Sequence, residues 1–95
     1  MELRHLRYFL AVAEAENVSR AALKLHLSQP ALSRQIRDLE DELGFRLLER
    51  TAKSVRLTEA GRIFLKEARA VLQRAERMLS HAEFQITFGL LDGLL

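Results

Sequence analysis

Ser-Arg-Ala-Ala-Leu-Lys-Leu-His-Leu-Ser-Gln-Pro-Ala-Leu-Ser-Arg-Gln-Ile, residues 19–36, is the stretch whose reading decides the fold of this chain. Apolar or small residues at Ala22, Leu25, Leu27, Leu32 and Ile36 are spaced for two short helices braced across a tight turn, the packing of a helix-turn-helix. At 100° per residue, Leu32, Ile36, Leu39 and Leu43 fall on one narrow arc of the second helix, while Pro30, Ser33, Arg34 and Arg37 point the other way. One face packs and the other is offered to a partner. Gln can pair with adenine, Arg with guanine and Ser with several base edges from a helix start in the major groove. The partner this pattern implies is double-stranded DNA.

The flanking sequence extends the pattern. Leu3, Leu6, Leu10 and Ala13, with Phe9, predict a helix over about Leu3–Glu16, with Arg4 and Arg7 outside its buried stripe. Asn17-Val18-Ser19 breaks it, and Ser19 is the expected N-cap of a helix over about Arg20–His26. His26 stands in the turn, where a small residue, often Gly, is usual. Ser28 caps the next helix, Pro30 fits its first turn, and Leu43-Gly44 ends it. From Phe45 to Leu57, two short apolar-bearing arms surround the polar centre Arg50-Thr51-Ala52-Lys53-Ser54 and suggest a hairpin wing, although its tip has no Gly or Asn. Thr58 then caps a long final helix, expected to reach about residue 88. Phe64, Ala68, Val71, Ala75, Met78 and Ala82 form a heptad seam on it, with Leu65, Leu72, Leu79 and Ile86 as a second row. So long an apolar face exceeds what a small domain buries alone, so pairing with a second copy is expected. The dimerisation residues are Phe64, Ala68, Val71, Leu72, Ala75, Met78, Leu79 and Ala82.

These segments, with Leu6-Arg7-Tyr8-Phe9, Glu40, Leu43-Gly44, Leu48-Glu49-Arg50 and Leu57-Thr58-Glu59-Ala60-Gly61, resemble the N-terminal part of the LysR-type transcriptional regulators. The motifs occur in the family's order, without a gap, across residues 1–61. The resemblance implies an all-α winged helix-turn-helix with a short two-stranded wing over residues 1–58, its helix-turn-helix at about 18–37. A linker and dimerisation helix follows at 59–88, and a tail at 89–95 leads towards a ligand-sensing domain absent from this chain. It also implies a cytoplasmic bacterial regulator that reads a dyad promoter site as a dimer, or within a tetramer. The inducer would bind only the absent domain.

The expected DNA-binding residues are Ser28, Gln29, Pro30, Ala31, Ser33, Arg34 and Arg37 on the recognition helix, and Arg50, Thr51 and Lys53 on the wing. By resemblance, Gln29, Pro30, Ser33 and Arg34 lie in the groove, where Pro30 and Ala31 supply apolar contact. A basic wing tip can enter the next minor groove or clamp phosphates, and Lys53 stands where many relatives carry Arg. Arg56 is an equal candidate for the wing or for a solvated surface.

Composition adds limits. The net charge is only +2, and the whole excess lies in residues 1–58, with ten Lys+Arg against eight Asp+Glu. Asp38, Glu40, Asp41 and Glu42 bunch near the end of the recognition helix, so phosphate repulsion should confine DNA to its first half. Without Cys there is no disulfide framework or thiolate metal site. The N-terminus does not read as a signal peptide, and no apolar run is long enough to span a bilayer. His5, His26 and His81 share no ligand spacing, and no serine has evident His and acid partners. No enzyme activity, metal or cofactor is expected. The rival reading is a coiled-coil interaction module without specific DNA binding; it leaves the polar start of the recognition helix unexplained.

Overall fold

In the computed structural model, which describes the backbone of residues 1–51 and 54–94 and the side chains of 1–51 and 54–82, a two-stranded hairpin separates three short helices from a long one. The order is α1 (Leu3–Ala15), α2 (Val18–Leu25), α3 (Gln29–Leu43), β1 (Leu48–Arg50), β2 (Val55–Leu57) and α4 (Glu59–Leu94).

Leu6, Phe9 and Val12 are the buried face of α1, spaced by three. Leu3, in the first turn, stays 40% exposed, and Val12 rather than Leu3 completes the stripe. Glu16 ends the helix in the left-handed region at φ 54°. The cap of α2 is Asn17, not Ser19: Asn17 Oδ1 accepts from the Arg20 amide at 2.9 Å. Placing the cap two residues earlier puts Val18 at the first helical position, where it is buried. Ser19 is thereby released for another contact. His26 adopts φ 58° at the end of α2, and the Leu27 amide closes back on the Ala22 carbonyl at 2.9 Å. A left-handed residue is therefore required in this turn, and His supplies it. The main core joins Phe9, Val12, Ala21, Ala22, Leu32, Ile36, Leu39, Leu47 and Leu65.

The wing is an antiparallel pair with Leu48 opposite Leu57 and Arg50 opposite Val55. Its turn needs no glycine at the two positions flanking the tip. Thr51 and Ser54 exchange bonds instead: Thr51 N–H donates to the Ser54 carbonyl at 2.9 Å, and Ser54 N–H to Thr51 Oγ1 at 2.9 Å. Ala52 and Lys53 lie outside the described residues. Beside the turn, at the start of β2, the Val55 amide donates to the Glu16 carbonyl at 3.3 Å, tying the wing to the end of α1.

Three elements converge on the backbone of Leu47. Its amide donates to Glu40 Oε2 of α3 at 2.7 Å, and the Leu48 amide to the same oxygen at 3.2 Å. Its carbonyl accepts from the Thr58 amide at 3.0 Å, and Thr58 Oγ1 donates to the Arg46 carbonyl at 2.7 Å. The same Oγ1 accepts from the Gly61 amide at 2.8 Å, capping α4. Gly61 is buried so closely against this segment that a Cβ there would overlap the Leu47 carbonyl oxygen.

The first half of α4 covers α1. Phe64 packs on Phe9 with ring centroids 5.7 Å apart and planes at 56°. Ala68 and Leu72 are buried with Leu6, and Leu10 and Phe64 pack beside them. Of the eight seam residues expected to face a partner, Phe64, Ala68 and Leu72 therefore turn towards α1 of their own chain, and Ala75 is also buried. The apolar stripe of α1 needs a cover, and α4 is the element that supplies it. Val71, Met78, Leu79 and Ala82 remain exposed, while the Ile86 side chain lies outside the described ones. The helix also continues to Leu94, beyond the expected end near residue 88. Gly89 and Gly93 each disfavour helix by about 1 kcal/mol relative to Ala, which is not enough to stop a helix this long. Among the described residues, no helix is long and apolar enough to cross a membrane.

Candidate nucleic-acid interface

Ser28 and Pro30 set the start of α3. Ser28 Oγ accepts from the Ala31 amide at 3.2 Å, and Pro30 occupies the first turn, where its missing N–H leaves no helical bond unmade. From this start the helix divides as its spacing predicts. Leu32, Ile36 and Leu39 are fully buried, whereas Gln29, Pro30, Arg34 and Arg37 are exposed and Ser33 is half-buried.

An open groove runs along the outer face, lined by Gln29, Pro30, Ser33, Arg34 and Arg37 of α3 and by Arg50 of β1. The wing thus borders the same surface as the recognition helix. Arg50 Nη1 donates to Ser33 Oγ at 3.3 Å, spanning the two elements. On the other side of the helix start, Ser19 Oγ donates to Gln29 Oε1 at 2.7 Å. Thr51 lines a second cleft with Asn17, Ser19, Gln29 and Ser54. Ser28 and Ala31 do not line the groove: Ser28 serves the backbone, and Ala31 is half-buried. Lys53, expected at the wing tip, lies outside the described residues.

The acidic bunch at the end of α3 is not one solvated patch. Asp38 and Asp41 line the far end of the groove, where they oppose phosphate. Glu40 turns inward to Leu47 and Leu48, and Glu42 Oε1 lies 2.6 Å from the Met1 ammonium. Two of the four carboxylates are therefore engaged by donors elsewhere, and the remaining two leave the far end of the groove acidic. The inward turn of Glu40 has a sequence signal: it shares the helical row of Ile36, Leu39 and Leu43.

A small helical core with an exposed recognition helix and an adjoining two-stranded wing defines the winged helix-turn-helix class. Residues 3–62 match the family model described as bacterial regulatory helix-turn-helix protein, lysR family. The chain belongs to that family. It is 54% identical to the Hca operon transcriptional activator HcaR of Escherichia coli K12, over 94% of this chain and 32% of that protein. It is 50% identical to the HTH-type transcriptional regulator BenM of Acinetobacter baylyi, over 84% of this chain and 26% of that protein. The chain thus spans a third or less of the length of these relatives. Among solved structures, the BenM DNA-binding domain in complex with catB site 1 DNA superposes with a TM-score of 0.87 at 47% identity, covering 90% of this chain and 94% of that one. The CbnR DNA-binding domain–DNA complex gives 0.84 at 48% identity, covering 87% and 95%. The interaction-module alternative gains no support from these relatives.

Proposed function

We propose that this chain is the DNA-reading and dimerising part of a bacterial cytoplasmic transcriptional regulator, with no enzymatic role. One observation carries the reading: Gln29, Pro30, Ser33, Arg34 and Arg37 share an exposed groove with Arg50, on a helix whose opposite face is buried. Gln29, Ser33 and Arg34 read base edges in the major groove, and Pro30 supplies apolar contact. Arg37, Arg50, Thr51 and Lys53 hold phosphates or the neighbouring minor groove. Residues 1–58 form the reading head and α4, Glu59–Leu94, the linker helix; in the whole protein a further domain senses a small molecule.

Arg34→Ala tests the assignment. On a duplex selected by this protein from a random-sequence library, the substitution should cost about 1–3 kcal/mol, with much less lost on scrambled duplex. Fluorescence anisotropy on both duplexes gives the comparison. Equal losses would demote Arg34 to a phosphate contact.

The homodimer is proposed to form through the part of α4 that α1 leaves uncovered. Val71, Met78 and Leu79 are 46%, 60% and 52% exposed in the single chain. Met78→Glu should raise the dimer dissociation constant by roughly a hundredfold, about 3 kcal/mol, by placing a charge in that contact. Sedimentation would then show monomer at concentrations where the parent is dimeric, with an unchanged unfolding midpoint for the monomer. Ala75→Glu would not isolate the interface, because Ala75 is buried within the chain itself. A Met78→Glu dimer as tight as the parent would place the interface elsewhere.

A further inference from the structure

We propose that Ser19 and Arg50, neither of which belongs to the recognition helix, are positioning residues that turn Gln29 and Ser33 outward as hydrogen-bond donors, matched to purine N7 acceptors. This rests on the DNA-reading function proposed above. Ser19 stands in the first turn of α2 and Arg50 at the end of β1, so the two hold the start of α3 from separate elements.

The chemistry follows from which atoms are engaged. The Gln29 carboxamide has an acceptor end and a donor end, and on an exposed helix start it would otherwise rotate freely. Ser19 Oγ donates to its oxygen at 2.7 Å, which leaves the Nε2 amino group as the end turned away. Ser33 has one O–H donor and two lone pairs. A cationic Arg50 N–H at 3.3 Å engages one lone pair and weakens the oxygen as an acceptor, so the O–H, beside one remaining lone pair, is the stronger group Ser33 presents. In the major groove both purines carry N7 as an acceptor, guanine adds O6 and thymine O4, whereas cytosine presents a donor. Two readers fixed as donors favour purine edges and reject cytosine. Ser19 is exposed and is not itself a core residue, and its sequence position suggested only a cap.

Selection from a random-sequence duplex library, run with the parent and with Gln29→Ala and Ser33→Ala, locates the base each reader prefers. The selected duplex is then remade with 7-deazapurine at those two positions, which removes N7 alone. The parent should lose roughly 3- to 10-fold in affinity at each. Ser19→Ala should abolish the penalty at the Gln29 position and leave the Ser33 penalty intact, with Ser19→Thr restoring it. Arg50→Ala should do the reverse. If Arg50 also holds a phosphate, its removal weakens natural and 7-deaza duplexes alike, and that effect cancels in the ratio. Thermal midpoints of the variants should match the parent. The inference is overturned if the parent shows no 7-deaza penalty, or if the penalties survive both Ser19→Ala and Arg50→Ala. A parent that enriches no duplex would sink the DNA-reading function itself, and this inference with it.

Discussion

Replacing Glu40 with Ala should remove about 4 kcal/mol of folding stability, a large share of the ~5–15 kcal/mol that holds a domain of this size. Glu40 is only 6% exposed, and its carboxylate is the acceptor for two buried backbone amides, those of Leu47 and Leu48. Truncation leaves both donors inside the fold, at about 1–3 kcal/mol each, and opens a void beside Leu47, which is itself fully buried. Glu40→Gln keeps the shape and one acceptor oxygen, so it should cost only about 1–2 kcal/mol. Urea unfolding of the three proteins at one concentration measures both differences. A Glu40→Ala loss below about 1 kcal/mol would mean that water reaches the two amides, and that the carboxylate is not what fixes the wing base.

Gly61→Ala should destabilise the chain by about 3 kcal/mol, seen as a fall of roughly 12–24 °C in Tm. The sign is informative, because Ala in an exposed helix stabilises by up to about 1 kcal/mol relative to Gly. At this position a Cβ would overlap the Leu47 carbonyl oxygen and lie 2.9 Å from its carbonyl carbon. The carbonyl cannot step aside cheaply, since it accepts from the Thr58 amide at 3.0 Å. Either α4 lifts from the segment before β1, or the Thr58 cap breaks. A Tm equal to or above that of the parent would show that the joint yields without loss.

Much of this architecture is legible in the residues. The alternation of Leu32, Ile36 and Leu39 with Pro30, Ser33, Arg34 and Arg37 separates the buried and presented faces of α3 as the structure does. The wing arms and the Thr58 cap are equally readable. What escapes has a physical cause in each case. Asn17 and Ser19 are both good caps, and only the burial of Val18 decides between them. The row that Glu40 shares with Ile36, Leu39 and Leu43 points it inward, but its acceptor role becomes visible only when the Leu47 and Leu48 amides fold back on it. The spacing of Phe64, Ala68 and Leu72 suits a partner helix and the chain's own α1 equally well, because both contacts demand the same period. The bonds from Ser19 and Arg50 to the readers join residues 10 and 17 positions apart, a proximity that no local pattern encodes.

The close seating of Gly61 on Leu47 also has a mechanical side. With 36 residues at 1.5 Å rise, α4 is an arm about 54 Å long, and a tilt of roughly 10° at its root would sweep the far end through about 9 Å. Its root is fastened by the Thr58 bonds to Arg46 and Leu47, and Leu47 is fastened in turn to the recognition helix through Glu40. Such a joint has little slack. A displacement at the start of α4 would therefore be handed on to α3 through Leu47 and Glu40 and not taken up by a loose linker.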